Sequence, residues 1–245
     1  MTTVKQGQAA DNQLYWVADN KIAPDFPDVD SALRDPDGLL AIGGDLSPSR
    51  LLDAYSKGIF PWYSEGQPIL WWSPDPRCVI EPGQVKISRS LAKTLRKKKY
   101  RVSFNRDFES VIRKCAETRK DNSGTWITGE MMAAYVELHR RGYAVSLECW
   151  HEDELVGGLY GVVIDRIFFG ESMFSRMTDA SKVALVQLSR TVDDMGFRLI
   201  DCQVHSAHLQ SLGATPMPRK LFNSALKNYA VSLSSKPNWP TGFIV

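Results

Sequence analysis

From Val145 onward, apolar and polar residues alternate with a period of two, Val145, Leu147 and Cys149 against Ser146, Glu148 and Trp150, as in a β-strand with one buried face. A His-Glu-Asp turn leads into an apolar stretch over 155–164, and Asp165-Arg166 turns into a third stretch over 167–174. This spacing predicts a three-stranded antiparallel meander. The period then lengthens: Ala180, Ala184, Leu188, Val192 and Met195 mark the inner stripe of a helix stopped by Gly196. A strand over 198–204, a short helix ending at Gly213 and a helix from Pro218 to about 229 complete the C-terminal half.

Upstream, the reading rests on punctuation. Ser47-Pro48 supplies an N-cap residue and a first-turn proline for a helix closed by Lys57-Gly58. Ile59-Phe60-Pro61-Trp62-Tyr63 follows as an aromatic loop, and residues 67–82 set aromatics among prolines, which favours extended edge segments. Ser88 or Ser90 can cap a helix running to about 99, with Leu91 and Leu95 inward and Arg89, Lys93, Arg96 and Lys97 outward. Two more helices are expected over 107–119 and 128–141, the second stopped by Gly142, with Gly124-Thr125-Trp126-Ile127 between them. No internal repeat or low-complexity tract appears. The expected architecture is α+β, with a small loop-rich lobe over residues 1–82 and a larger domain over 83–245.

Charge changes this picture. The net value of +2 is small, but between Glu81 and Asp107 there is no acidic residue, while lysines and arginines are dense. The rest of the chain is therefore net acidic. A one-signed block on an acidic protein is the footprint of a polyanion, although a charge run is also commonly a solvated helix face. The first residues lack an apolar stretch behind a basic start, and the longest apolar region, around 156–164, is too short to span a bilayer. The four cysteines, Cys78, Cys115, Cys149 and Cys202, lie tens of residues apart without a metal-type Cys-x-x-Cys pair, so free buried thiols in a reducing cytoplasm are expected. None of the histidines has a ligand partner at useful spacing; His139 and His151 are expected to face solvent. No metal and no membrane enter the reading.

The order of meander, helix, strand and helix resembles the acyl-CoA N-acyltransferase (GNAT-like) fold. Such enzymes cradle the CoA pyrophosphate on a glycine-rich turn, because bare backbone can crowd its amides around phosphate. The corresponding connection, Phe174-Ser175-Arg176-Met177-Thr178-Asp179, has no glycine. An acyl donor other than CoA follows. The strings FPDVDSALRDPDGLLAIGGDLSPSRLLDAYSKGIFPW, LWWSPDPR, GTWIT, LVGGLYGV, GESMFSRMTDASKVAL, LIDCQV and HLQSLGA, in that order from about Phe26 to Phe222, resemble the bacterial leucyl/phenylalanyl-tRNA protein transferases. The stretch before Leu14 and the tail after Tyr229 fall outside the resemblance.

That resemblance implies an enzyme, an aminoacyltransferase moving leucine or phenylalanine, with methionine a further candidate, from aminoacyl-tRNA to proteins that begin with Arg or Lys. The product enters the N-degron pathway of degradation, and no cofactor is needed. It marks Asp201 and Gln203 as catalytic. On a regular strand over 199–204 the two would share a face opposite Ile200 and Cys202. A carboxylate with a pKa of about 3.9 is a poor base for a free ammonium of about 8, but can accept the proton once the amine has bonded to carbon. A buried anchoring role for Asp201, or a proton shuttle through the ribose 2′-OH, are the alternatives. Glu171 could meet the cationic acceptor or form an internal ion pair. The resemblance also places Leu159, Phe168, Met173, Leu185, Leu188 and Ile200 around the aminoacyl group, although each is also an ordinary core type. Trp62 and Trp126, beside proline or glycine in loops, could stack on a terminal adenine at about 1–3 kcal/mol per base, or pack under their own loops. The basic face of Arg89, Lys93, Arg96 and Lys97 would hold the tRNA backbone. The rival functions are an acetyl-CoA-dependent N-acetyltransferase, which the missing glycine loop opposes, and a tRNA-binding protein without catalysis, for which the Asp201 and Gln203 pair would be surplus.

Overall fold

A computed structural model describes residues 14–18, 26–123, 126–233 and 236–244. The first part of the chain forms a four-stranded sheet of β1 (Tyr15–Val17), β2 (Leu39–Gly43), β3 (Phe60–Pro61) and β4 (Leu70–Trp72), in the order β1-β2-β4-β3. Helix α1 (Pro48–Ser56) lies between β2 and β3 in sequence. Ser47 occupies the expected N-cap position, but its side chain makes no capping hydrogen bond. Trp71 is fully buried and donates its indole N–H to the Gly43 carbonyl at 2.9 Å.

The second sheet has seven strands in the order β11-β5-β10-β9-β8-β7-β6. They are β5 (Arg77–Ile80), β6 (Arg101–Phe104), β7 (Ala144–His151), β8 (Glu154–Ile164), β9 (Ile167–Ser175), β10 (Leu199–Gln203) and β11 (Thr215–Met217). The meander β7-β8-β9 is antiparallel throughout, and β10 returns parallel to β9. A parallel return needs a crossover, supplied by α5 (Ala180–Asp194), the last of the helices α2 (Arg89–Arg96), α3 (Phe108–Ser123), α4 (Gly129–Arg140) and α5. Helices α6 (Ala207–Ser211) and α7 (Arg219–Tyr229) follow. The architecture is mixed α+β. Strand β5 comes from the segment expected in the small lobe, yet it sits between β10 and β11.

Neither β4 nor β5 is an edge strand, contrary to the expectation for residues 67–82. Pro68, Pro74, Pro76 and Pro82 all fall outside these two strands, so none removes a ladder donor from them. Strand β6 was not foreseen. It forms one side of the sheet, and the tail lies along it: Phe243 bridges Ser103, and the Ile244 amide donates to the Val102 carbonyl at 2.8 Å. Trp239 stacks on Phe104 with ring centroids 5.2 Å apart. The tail thus covers a strand edge that would otherwise expose unpaired backbone groups.

Helices cover both faces of the large sheet. On one side, residues of α3 and α4, among them Val111, Ile112, Met131 and Tyr135, pack with Tyr160, Val162, Phe169 and Phe174, and the same cluster takes in Leu51, Tyr55 and Trp71 from the first sheet region. On the other, Val183, Ala184, Leu188 and Val192 of α5 join Val145, Leu147, Leu159 and Ile200. The close seating of α5 explains Gly157, where an added Cβ would lie 2.6 Å from that of Ala180. Ser88 caps α2 by accepting from the Leu91 amide at 3.2 Å, and the helix stops at Arg96, three residues short of the expected end, before Lys98 turns to φ 47°.

The two histidines expected in solvent are tied into the fold. His139 stacks on Phe108 at 4.3 Å, with Nδ1 2.9 Å from the Ala144 carbonyl, and His151 meets the Tyr100 ring edge-on. None of the four cysteines is in a disulfide; Cys78, Cys115 and Cys149 are buried, and Cys202 is only half-buried.

Candidate active site

Where β9 and β10 lie side by side, the chain buries polar side chains that could not remain there unpartnered, among them Glu171, Asp201 and Gln203. Asp201 has no exposed surface. Both of its oxygens are held by one guanidinium, Arg77 Nε donating to Oδ1 at 2.9 Å and Nη2 to Oδ2 at 2.8 Å. Arg77 is equally buried, donates through Nη1 to the Gly58 carbonyl at 2.9 Å, and lies between the Phe60 and Phe222 rings at 4.7 Å from each centroid. One cation therefore ties the loop after α1, helix α7 and the centre of the large sheet together. The fork geometry of arginine suits this bidentate task, which lysine could not fill.

Strand β10 is not regular where the site is formed. Its register against β5 shifts between Asp201 and Gln203, and Gln203 adopts φ 62°, in the left-handed region that non-glycine residues rarely occupy. The Gln203 amide turns back to donate to Asp201 Oδ1 at 2.8 Å. Simple alternation fails at this bulge: Ile200 lies in the core beneath α5, whereas Cys202 and Gln203 both reach the cavity wall. Gln203 Nε2 then donates to Glu171 Oε1 at 2.8 Å.

Glu171 receives two further bonds, from Tyr55 of α1 to Oε1 at 2.6 Å and from Tyr135 of α4 to Oε2 at 3.0 Å; the two phenol oxygens also touch. Burial pushes the Glu171 carboxyl up to about 7 and the nearby Asp201 charge adds to this, while the three donors pull against it. Both phenols are raised well above their ordinary range, mainly by burial, and so keep their protons at neutral pH. The arrangement can present one negative charge, conditional on pH near neutrality, to a cation entering the cavity.

That cavity, of about 370 Å³, is lined by Glu171, Gln203, Trp62, Trp126 and Met173 among others, with His205 and His208 also on its wall. Trp62 is exposed, and its loop is fixed by the Trp72 indole donating to the Trp62 carbonyl at 2.7 Å. Of the six apolar residues singled out from the sequence, Met173 lines the cavity. Leu159, Phe168, Leu185, Leu188 and Ile200 are buried in the cluster against which Met173 packs. Arg89, Lys93, Arg96 and Lys97 are all exposed, on α2 and its C-cap. Gly124 and Thr125 of the GTWIT string lie outside the described residues.

The sequence singled out Glu171, Asp201, Gln203 and both tryptophans, but not Arg77, Tyr55 or Tyr135. Their partners lie 124, 116 and 36 residues away along the chain, beyond any local pattern. Arg77 alone offers a signal: a charge heading the buried run Cys78-Val79-Ile80 demands a buried counter-ion.

Residues 79–227 match the family model for leucyl/phenylalanyl-tRNA protein transferase, and residues 44–75 match the model for its N-terminal domain. A leucyl/phenylalanyl-tRNA–protein transferase of Nitrosospira multiformis is 52% identical over 92% of this chain and 96% of its own length. Those of Aromatoleum aromaticum and Pseudomonas aeruginosa are 57% and 58% identical, each over 88% of this chain and over 90% and 95% of their own lengths.

Proposed function

The chain belongs to the leucyl/phenylalanyl-tRNA protein transferase family, and on that premise we propose how its cavity carries an aminoacyl group from tRNA to the N-terminus of a protein. The reaction is aminolysis of an ester: the acceptor amine attacks the aminoacyl carbonyl, the C–N bond forms, and the ribose oxygen leaves with a proton. It is downhill and can be driven largely by placement of the two reactants. The terminal adenine stacks between Trp62 and Trp126, and the leucyl, phenylalanyl or methionyl side chain lies toward Met173 and the apolar cluster of Leu159, Phe168, Leu185, Leu188 and Ile200. Glu171 receives the cationic N-terminal residue of the acceptor, Arg or Lys. Gln203 donates one amide hydrogen to Glu171 and has its carbonyl left to accept from the attacking amine.

Asp201 acts one step behind. With both oxygens on Arg77 and no exposed surface, it holds the bulge that aims Gln203, and it biases Glu171 by its charge. With Gln203 orienting the attacking amine, its proton passes to Glu171, or to the ribose oxygen directly, rather than to Asp201 first. The face of Arg89, Lys93, Arg96 and Lys97 holds the tRNA backbone. We read the meander, α5 and the parallel β10 as a GNAT-like arrangement put to a donor other than CoA. Among the described residues no helix is long and apolar enough to cross a membrane. We place the reaction in the cytoplasm and its product in the N-degron route.

The observation that carries this reading is the meeting of Glu171, Gln203, Trp62 and Trp126 on one cavity. Incubation with leucyl-, phenylalanyl- or methionyl-tRNA and peptides beginning with Arg, Lys, Ala or Glu tests it. Transfer is expected to the Arg and Lys peptides only. Equal transfer to the Glu peptide would remove Glu171 from the acceptor site, and acetylation from acetyl-CoA in place of transfer would return the rival enzyme reading.

A further inference from the structure

Cys78 and Cys202 face each other across the β5–β10 ladder, at the bulge that shapes the site. Register pairs Cys78 with Gln203 and then shifts, so that Cys202 and Gln203 together oppose the single residue Cys78. Opposed residues on antiparallel strands lie about 4.5–5.5 Å apart at Cα, within the range a disulfide spans. Cys78 is closed off at 1% exposure, while Cys202 is half-buried and forms part of the cavity wall. Of the two, Cys202 is the member that borders the cavity, and Cys78 lies behind it.

We propose that this pair is a reversible oxidation site, at which a peroxide joins Cys78 to Cys202 and thereby disables the cavity. The two thiols already interact. Hydrogen bonding from Cys202 lowers the Cys78 thiol, and the same contact, with burial, raises Cys202 well above the ordinary range, so the first charge of the pair belongs on Cys78. Burial and the Asp201 charge oppose a thiolate at Cys78 and the Arg77 charge favours it, but the bond from Cys202 is the largest influence and sets the direction.

The chemistry balances without a metal. The charge rests on Cys78; when Cys202 passes its proton to Cys78 across their contact, the Cys202 thiolate attacks hydrogen peroxide, the O–O bond breaks, sulfur loses two electrons, and a Cys202 sulfenic acid and hydroxide result, the hydroxide taking a proton from solvent as water. Cys78 then attacks the Cys202 sulfur, the S–S bond forms, the S–OH bond breaks, and the departing hydroxide takes the Cys78 proton as water. Peroxide is the oxidant, and a dithiol reverses the bond. Joining the sulfurs would pull Cys202 off the cavity wall and shift the bulge that sets the Gln203 bond to Glu171. That consequence rests on the transferase reading of the cavity; the crosslink does not. Cys115 and Cys149 serve as internal controls, for both are buried away from the cavity, and burial pushes the Cys149 thiol up to about 12.

The test treats the purified full chain with hydrogen peroxide, then blocks and counts its thiols after denaturation. The expected oxidised form has lost two of the four thiols and two hydrogens in mass, yields a Cys78 peptide linked to a Cys202 peptide, and recovers all four thiols with dithiothreitol. Cys78→Ala should show no link and instead a dimedone-reactive sulfenic acid at Cys202. Retention of four thiols, or a link between Cys115 and Cys149, overturns the proposal. Should Cys78→Ala fail to fold, peptide mapping of the oxidised wild type still decides. Aminoacyl transfer is expected to fall at least about tenfold on oxidation and to return on reduction. A crosslinked form with undiminished transfer overturns the disabling role. If even the reduced protein transfers nothing while the link forms, the transferase reading fails and the oxidation site stands.

Discussion

Two glutamates are buried in the same seven-stranded sheet, and they face different fates. Glu148 on β7 has no exposed surface and is ringed by donors: the Ser103 hydroxyl at 2.6 Å, the Ser146 hydroxyl at 2.5 Å, and the backbone amides of Arg106 and Asp107 at 3.3 and 3.4 Å, just before α3. Its carboxylate serves the start of a helix, where backbone amides lack partners of their own. Glu171 is held by phenols and an amide side chain, keeps a small exposed surface on the cavity, and is pushed up to about 7. A buried carboxylate enclosed by backbone and hydroxyl donors is architecture. One held by adjustable side chains at the edge of a cavity can change its charge in response to what enters.

The widest separation between the two should appear in stability. Glu148→Ala leaves two hydroxyls and two amides without their acceptor, and loss of several hydrogen bonds to a charge should cost about 3–5 kcal/mol. Urea unfolding is the measurement, and the transfer rate per folded molecule should stay near wild type at low temperature. A loss of less than about 1 kcal/mol would mean that the serines and amides find water or other partners, and the contrast would collapse.

A third carboxylate sharpens the comparison. Asp201 sits beside the cavity but is bound like a structural group, with its bidentate partner Arg77 wholly buried. Asp201→Asn leaves that guanidinium unneutralised, so it should be destabilising by about 3 kcal/mol as well as slowing transfer. Replacing both members, Arg77→Met with Asp201→Leu, should restore part of the stability without restoring transfer. Recovery of transfer in the double variant would remove Asp201 from any positioning role, while an Asp201→Asn enzyme of wild-type stability would show that the ion pair is not what orders the bulge.

Glu171→Gln should behave in the opposite sense. The raised carboxyl binds protons more tightly in the folded chain than in the unfolded one, so its ionisation lowers stability progressively as pH rises from about 4.5 to about 7. Removing the charge relieves this, and Glu171→Gln should gain stability relative to wild type over that window. Its KM for an Arg-initiated peptide should rise roughly 10- to 100-fold, as for a lost charged hydrogen bond. Equal pH dependence of unfolding in the two proteins would show that Glu171 carries no burden of burial.

The sequence made the difference between these glutamates only half visible. Glu171 was flagged through its motif, whereas Glu148, on the polar positions of an alternating strand, read as solvent-facing. It is buried because helices cover both faces of this sheet, and the covering of the second face is decided by packing, which the period of one strand does not encode. The meander and α5 were legible because their apolar spacing is long and regular. Strands β6 and β11 were not, being three or four residues each and specified by their neighbours. The bulge at Gln203 likewise has no local signature: its φ of 62° is imposed by the bonds that Asp201 and Glu171 accept from it.

The smallest expected effect concerns the donors themselves. The Tyr55 hydroxyl, 2.6 Å from Glu171, holds the carboxyl down, so Tyr55→Phe should move its titration upward from about 7, by less than one unit because Tyr135 and Gln203 remain. An N-acetylated Arg peptide reads this cleanly. Its blocked amine does not titrate and its guanidinium stays charged above about pH 12, and since His205 and His208 on the same wall are common to both proteins, the difference between wild type and Tyr55→Phe reports Glu171. Wild-type affinity should weaken as pH falls through about 7, where the carboxylate takes up its proton; in Tyr55→Phe the weakening should set in at higher pH, with little change in affinity at pH 9. A midpoint that moves downward would mean that Tyr55 favours the protonated acid, and the cluster would then be storing a proton for transfer to the departing ribose oxygen rather than a charge for the acceptor.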